Sequence, residues 1–465
     1  MASEYHHFVP QFILRKFSNF DRLLAEDVPP KKARKYCKVS FFSLKDGIFE
    51  TCKASRTFGV QNMYQDINER SAAKCEVEEK LRLLEERASK ILVNIEAAYN
   101  RGDGSITINR QDKDELRRFL FIMLYRNRTL EWRYEKSKQD YDADDRALMM
   151  KYMEENGFED PKAVWLANIC AFLEVKLGHD VQRWARELCQ RAYPLDAQWF
   201  VGHLQTTFLS FCCPDHPADE FILTQNAYSI FEGPSDAQWT DWHVFAPISP
   251  RLIIVMRKCL LQKVDEPELE KIRQEELKLM VSLNFDHPSD AQSSLIDLPL
   301  ERPQVRYSSP QFGGLPQHSN DDSFTFKFIP LCPSHLQRIN SIFLEEALET
   351  SGIVFRTDEA FKWALEAYFL LDPIRFKQVF SNANLAKRGS AGLAFGKEKN
   401  DWIRANRENY LHLLEKAAAC LGSSARALYF DRNISSSWIR SLQPVFLCRY
   451  HILGLAICRE TMEAD

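Results

Sequence analysis

The pattern of apolar residues changes near residue 200, and this change determines the fold class that we expect. Before it, apolar residues recur at helical spacing over residues 76–98, and further helices are predicted over 113–137, 142–156 and 163–192. After it, residues 199–211, 220–231 and 243–257 are rich in aromatic and β-branched side chains, which favour strands. The sequence therefore predicts an α+β fold that is predominantly helical, with long helices followed by a central mixed sheet.

Smaller features fill in this outline. Residues 38–44 and 48–52 flank the turn-forming Lys45-Asp46-Gly47 and predict an N-terminal β-hairpin. Residues 265–282 resemble an exposed helix, 284–322 a long loop that could cover a site, and the chain beyond 329 a set of C-terminal helices. We expect a catalytic domain over 1–355, helical over 1–198 and sheet-containing over 199–355, with a C-terminal helical region over 356–465 packed on it.

Composition excludes several classes of protein. With 45% hydrophobic residues the chain can bury a large core, and a net charge of -4 argues against a uniformly basic nucleic-acid coat. The apolar run 119–125 is far shorter than the roughly 20 residues of a membrane span, and residues 1–7 do not resemble a secretory signal. Twelve cysteines without a C-x-x-C pair indicate reduced thiols. These features predict a cytoplasmic protein without a membrane partner.

Any RNA contact must then use a local basic patch. Residues 31–38 form the strongest basic run, and Tyr36 within it could stack on a base, although a solvated hairpin edge or an import-like tract explains the run equally well. Arg117, Arg118, Arg126 and Arg128 lie on one long predicted helix, where guanidinium groups could bind phosphates, although salt bridges with nearby acids are the favoured alternative. The candidate RNA-binding residues are Lys31, Lys32, Arg34, Lys35, Arg117 and Arg118.

Carboxylates supply the other conspicuous chemistry. Glu78 and Glu85 are seven residues apart and share one helix face, with Asp66 and Glu69 upstream. Such a cluster could bind an amine or a guanidinium, although a merely solvated helix face is a sound alternative. We expect no cofactor and no metal. Residues 391–398 lack the first glycine and the last hydroxyl of a phosphate-binding loop, and the adjacent His6 and His7 would point to opposite faces of a strand.

The opening H-H-x-V-P-x-F-x-L-R-x-F, residues 6–17, resembles the signature of a widespread bacterial and fungal family known as a domain of unknown function. Four further segments resemble the family's motifs: the helix with Glu78 and Glu85, then 221–228, 245–251 and 339–347. The resemblance covers residues 5–350. It makes the opening histidines a family marker and a scaffold for the acidic helix.

Within that family, residues 223–234 look most like a fungal branch, the arginine-containing cyclodipeptide synthases. Membership would imply that arginine and a second amino acid are taken from aminoacyl-tRNAs and closed into a diketopiperazine, the first step of an alkaloid pathway. An aminoacyl-tRNA is an activated ester, so such an enzyme needs no ATP. The branch has an acidic D-D-x-x-E motif, and Gln65-Asp66-Ile67-Asn68-Glu69 is its nearest form here.

The resemblance also implies a set of site residues. Aminolysis of an ester requires a base for the attacking ammonium and donors for the oxyanion, and a hydroxyl could carry the aminoacyl group covalently. Asp66 and Glu69 would bind substrate, and Trp239 and Trp242 would suit an aromatic second amino acid. The candidate catalytic residues are Glu78, Glu85, Thr224, Asn226, Tyr228 and Glu232. The competing interpretations are an ordinary strand and turn over 223–232, and a non-catalytic RNA-binding or nuclease-like member of the same family.

Overall fold

The computed structural model describes residues 5–61, 63, 71–127, 134, 137–141, 145–226, 228, 230–232, 243–262, 265, 267–284, 295, 297–308, 318–370 and 409–423. Its helices are α1 Gln11–Lys16, α2 Phe20–Ala25, α3 Pro30–Tyr36, α4 Ser71–Asn100, α5 Arg110–Tyr125, α6 Arg146–Asn156, α7 Pro161–Glu174, α8 Val181–Arg191, α9 Pro194–Thr206, α10 Pro267–Asn284, α11 Pro333–Glu346 and α12 Asp358–Leu370. Residues 409–420 are also helical.

The strands are β1 Tyr5–His7, β2 Lys38–Ser43, β3 Ile48–Lys53, β4 Gly59–Gln61, β5 Ser105–Asn109, β6 Thr207–Pro214, β7 Leu223–Thr224, β8 Ile230–Glu232, β9 His243–Ser249, β10 Leu252–Lys258, β11 Gln304–Arg306, β12 Ser323–Leu331 and β13 Gly352–Phe355. They form three sheets. β1 pairs with β4, a four-stranded sheet has the order β3-β2-β13-β7, and a seven-stranded sheet has the order β11-β12-β6-β10-β9-β8 with β5 added beside β12. The expected α+β class with a central mixed sheet is confirmed.

The large sheet is mixed because β12 runs parallel to β6 whereas its other described pairs are antiparallel. Successive strand residues point to opposite faces, and both faces are buried. In β10, for example, Ile254 and Met256 join a core built with α4, α5 and α7–α9, while Ile253 and Val255 join a second core built with α11, α12 and residues 409–420. The sheet therefore lies between two helical layers.

The N-terminal hairpin is confirmed, since Ser43 pairs with Ile48 across the turn. Its β2 strand also pairs with β13, which in turn pairs with β7. The predicted helical part, 1–198, and sheet-containing part, 199–355, thus share one sheet. No helix among the described residues has both the length and the apolar content to cross a membrane.

Three boundaries predicted from the sequence are wrong. The strand expected from residue 199 begins at Thr207, because residues 194–206 form α9, in which Pro194 occupies the first turn and Trp199, Phe200 and Leu204 bury one helical face. The helix expected over 163–192 is two helices, α7 and α8. The helix expected over 113–137 is interrupted: α5 ends at Tyr125 and is followed by a turn at Arg126, and residue 134 is helical again. Residues 128–133 and 135–136 lie outside the described residues.

Candidate functional site

The opening histidines are fixed by the short β1–β4 pair. His6 lies opposite Val60 and His7 opposite Gly59. A Cβ atom at Gly59 would lie 2.3 Å from the carbonyl oxygen of His6, so only glycine permits this approach. The preceding Phe58 has φ 53°, a left-handed conformation that strains a bulky residue and persists only where the surroundings impose it.

His6 connects β1 to the acidic helix. Its Nδ1 atom accepts a hydrogen bond from the backbone N–H of Met63 at 3.2 Å, so Nε2 carries the proton and donates to Oε1 of Glu78 at 3.0 Å. The side chains of His6 and Glu78 are 13% and 27% exposed. As the sequence predicts, the histidine motif supports the acidic helix: His6 orients a carboxylate that remains partly open to solvent.

His7 binds different partners. Its Nδ1 atom donates to the carbonyl of Thr57 at 3.1 Å, and the Gln11 amide donates to Nε2 at 2.9 Å. Burial lowers the pKa of His7 to about 4. The hydrogen bond to Thr57 raises this pKa, and the positive charges of Arg126 and Arg15 lower it further. His7 is therefore neutral at pH 7 and acts as a brace between β1, α1 and residue 57.

The second carboxylate, Glu85, is held by a buried cation. Nη2 of Arg126, the residue after α5, donates to Oε1 of Glu85 at 2.6 Å, and the side chains are 3% and 29% exposed. Arg126 also contacts Sδ of Met123 at 3.2 Å. In the part of the chain that the structure describes, no donor bonds to Oε2 of Glu85. This carboxylate therefore combines one oriented oxygen with one that remains available.

Tyr228 completes this group. Its ring packs edge-on against Phe119, with 6.0 Å between centroids, and its hydroxyl donates to the carbonyl of Pro247 at 3.3 Å. Burial raises the pKa of Tyr228. The charge of Arg126 lowers this pKa and the charge of Glu85 raises it, and the net effect keeps the phenol protonated. We call His6, Glu78, Glu85, Arg126 and Tyr228 the acidic-helix site.

Thr224 and Asn226 serve a neighbouring turn. The Thr224 hydroxyl is buried and donates to Oδ1 of Asn226 at 2.7 Å, and the Asn226 amide donates to the carbonyl of Glu346 at 2.9 Å. These bonds tie the turn after β7 to the end of α11. Among the described residues, no hydrogen bond joins Thr224 or Asn226 to Glu78 or Glu85.

The remaining candidates fall largely outside the described part of the chain. Glu232 ends β8 opposite His243, and only its backbone position is described. Residues 66, 69, 239 and 242 lie outside the described residues, so the substrate-binding roles of Asp66, Glu69, Trp239 and Trp242 stay predictions.

The two groups of basic candidates differ in exposure. Lys31, Lys32, Arg34 and Lys35 are exposed on α3, which is a helix and not the edge of the hairpin. We call these four residues the basic surface. Arg34 contributes, after burial, to lowering the pKa of Arg15, whose charge in turn acts on His7.

Arg117 and Arg118 do not belong to that surface, which corrects the prediction that they present guanidinium groups to RNA. Arg118 is 5% exposed and donates to the carbonyls of Leu173 and Val175 as well as to Glu115. Arg117 donates to the carbonyl of Thr207 at 3.1 Å. Both guanidinium groups donate hydrogen bonds to carbonyl oxygens at the C-terminal ends of helices, where such oxygens lack partners within the helix.

The sequence offers Arg126 as a phosphate-binding candidate beside Arg117 and Arg118, and the structure corrects this, because Arg126 is buried and donates to Glu85. Arg128, the fourth of these arginines, lies outside the described residues. Sequence reasoning missed the roles of Gln11 and Gly59. The roles of Gln11 and Gly59 depend on the pairing of β1 with β4, which the spacing of residues does not reveal.

No curated protein and no solved structure matches the chain. One family model, described as "Protein of unknown function (DUF4238)", matches residues 5–359 of 465 and so includes β1, α4, the turn after β7 and α11. Because the match covers most of the chain, this protein belongs to the DUF4238 family.

Proposed function

We propose that the protein is a tRNA-dependent synthase that condenses arginine and a second amino acid into a cyclic dipeptide. Support comes from the resemblance of residues 223–234 to the fungal arginine-containing branch and from the acidic-helix site. The product would enter a diketopiperazine alkaloid pathway of the kind in which that branch acts.

The observation that carries the proposal is the pair of held carboxylates on α4. Glu78 and Glu85 share a helix face roughly 10 Å apart along the axis, from seven residues at 1.5 Å each. Each is oriented by a protein donor and more than a quarter exposed. An arginyl substrate has two cationic groups, the α-ammonium and the guanidinium, at opposite ends of a flexible chain. Two carboxylates spaced in this way match both groups.

The chemistry follows from the activated ester. The α-amine of one aminoacyl group attacks the carbonyl carbon of the other, a C–N bond forms, the C–O bond to the tRNA breaks, and that tRNA regains its terminal hydroxyl. A second aminolysis closes the ring and releases the second tRNA. Glu78 would accept the proton of the attacking ammonium, while Glu85 would bind the guanidinium through Oε2.

Charge stabilisation belongs to the neutral donors in this proposal. Tyr228, Asn226 and Thr224 would supply these donors. In the structure they donate to the Pro247 carbonyl, the Glu346 carbonyl and Oδ1 of Asn226 respectively, so substrate binding would have to release at least one of them. A donor released in this way would stabilise the developing oxyanion. The basic surface on α3 would hold the tRNA backbone.

The test is direct synthesis. Purified protein with arginyl-tRNA and a mixture of other charged tRNAs should release a cyclic dipeptide, detected by mass spectrometry, and ribonuclease treatment before mixing should abolish it. Glu78→Gln and Glu85→Gln should each lower the rate at least about tenfold, the equivalent of about 1.4 kcal/mol. Glu79→Gln, an exposed change on the same helix, is the matched control. Product formed after complete digestion of the tRNA would refute the mechanism.

The exposed basic surface also favours a second candidate, an RNA-binding or nuclease-like protein without synthase activity. That candidate predicts RNA binding or cleavage with no dipeptide formed. Replacing Lys31, Lys32, Arg34 and Lys35 by alanine would abolish RNA binding under either function. Dipeptide formation from charged tRNA therefore decides between the two.

A further inference from the structure

A second group of reactive side chains lies at the start of α11, apart from the acidic-helix site. Cys332 is the residue before the helix and is exposed. Its Sγ atom lies 3.3 Å from Nδ1 of His335 and 3.1 Å from Oγ of Ser334. Nε2 of His335 lies 3.2 Å from Oδ2 of Asp297, which comes from a distant segment of the chain. A thiol, an imidazole and a carboxylate are thus arranged in series.

The order of these groups assigns their roles. A carboxylate accepts, so Nε2 of His335 donates to Asp297, and Nδ1 is left to accept the thiol proton. The side chain of His335 is mostly buried, and Asp297 also lies 3.9 Å from Nη1 of Arg338. This is the arrangement of nucleophile, base and orienting acid that activates a cysteine.

The backbone contributes as well. Burial raises the pKa of Cys332, and the negative charge of Asp297 acts in the same direction. Hydrogen bonds from the Ser334 hydroxyl and from the N–H groups of Ser334 and His335 outweigh both, so the net effect lowers this pKa. The net effect is the opposite at the buried Cys212, whose pKa is raised, mainly by burial. A low thiol pKa together with exposure marks the cysteines that react at neutral pH.

We propose that Cys332 is a modification site, a thiolate that exchanges with small-molecule disulfides of the glutathione type. In the exchange Sγ attacks one sulfur of the disulfide, the Sγ–S bond forms and the S–S bond breaks. The departing thiolate takes the proton that His335 removed from Cys332. The positive charge of Arg338 on the next turn suits a disulfide bearing carboxylates. This inference does not depend on the proposed synthase activity.

The experiment uses the full chain with oxidised glutathione at pH 7, with adducts located by peptide mass spectrometry. Cys332 should acquire one glutathione, removable by dithiothreitol, about five- to tenfold faster than Cys420, which is also exposed. Asp297→Asn, a change at an exposed residue, and His335→Asn should both slow the reaction at Cys332 and leave Cys420 unchanged.

A pH profile of alkylation by iodoacetamide provides an independent readout. The rate at Cys332 should rise at a lower pH than the rate at Cys420, and His335→Asn, which removes the proton acceptor beside Sγ, should move that rise to higher pH. Equal rates at the two cysteines, or a rate at Cys332 that neither variant changes, would overturn the proposal.

Discussion

The pairing of Glu85 with Arg126 supplies the sharpest test of the acidic-helix site. Removing either charge leaves the other in surroundings arranged for a pair. We expect Glu85→Gln and Arg126→Met each to destabilise the fold, and the double variant to cost less than their sum. The difference is the coupling energy of the pair.

The magnitude follows from the geometry. Nη2 of Arg126 lies 2.6 Å from Oε1 of Glu85, which puts the centres of the two charged groups about 4 Å apart. At that separation, an effective dielectric constant of about 20 gives an attraction of about 4 kcal/mol. Arg126 is 3% exposed but Glu85 is 29% exposed, so water screens part of this attraction. Discounting by half, we expect a coupling of about 2 kcal/mol.

Urea unfolding followed by tryptophan fluorescence measures the four free energies of unfolding. Glu79 and Arg82, whose atoms lie 2.7 Å apart with both side chains more than half exposed, give the control cycle on the same helix. Because solvent screens that pair, its coupling should be smaller. A coupling at Glu85 and Arg126 no greater than that of the control pair would refute the reasoning.

Three further predictions concern the scaffold. The pKa of His7, about 4 when folded and about 6.5 when unfolded, means that the unfolded chain binds more protons between these values. Stability should therefore fall by up to about 3 kcal/mol as pH drops from 6.5 to 4, and His7→Gln should flatten that part of a stability-against-pH curve; an unaltered curve would argue against the assignment. Asp322→Asn removes a buried carboxylate that pairs with the guanidinium of Arg110 at 2.7 Å, and should lower the free energy of unfolding in urea by about 3–5 kcal/mol. Asp321→Asn, at an exposed position, should lower it little. Gly59→Ala forces β1 from its place and should cost about 1–3 kcal/mol, unlike Gly104→Ala, where space is open; equal effects would contradict the close approach.

The sequence predicts those parts of the fold that depend on local pattern. The alternation around residues 45–47 predicts the hairpin, and the spacing of Glu78 and Glu85 places both on one side of α4. Helix α9 was missed because its aromatic residues favour strands locally, whereas the buried face formed by Trp199 and Leu204 stabilises a helix.

The site depends more heavily on contacts between distant residues. From the sequence, Arg118 resembles a surface cation. In the fold, the end of α7 lies beside it, and Arg118 donates to carbonyl oxygens there that have no partner within the helix. His6 and His7 look alike, yet one orients Glu78 and the other braces residue 57. Neither assignment follows from spacing, because the partners lie far away in the sequence: Glu78 is on α4, and Thr57 precedes β4.

The pairing of β13 with β2 has a consequence for biosynthesis. Gly352 lies beside Ser43 and Phe355 beside Ser40, so most of the chain must leave the ribosome before the hairpin sheet gains its third strand. At a synthesis rate of about 5–20 residues per second, the hydrophobic edge of β2 stays unpaired for many seconds before β13 is made. Fragments that stop short of β13 would keep that edge open and associate through it. A working expression fragment must therefore extend past residue 355.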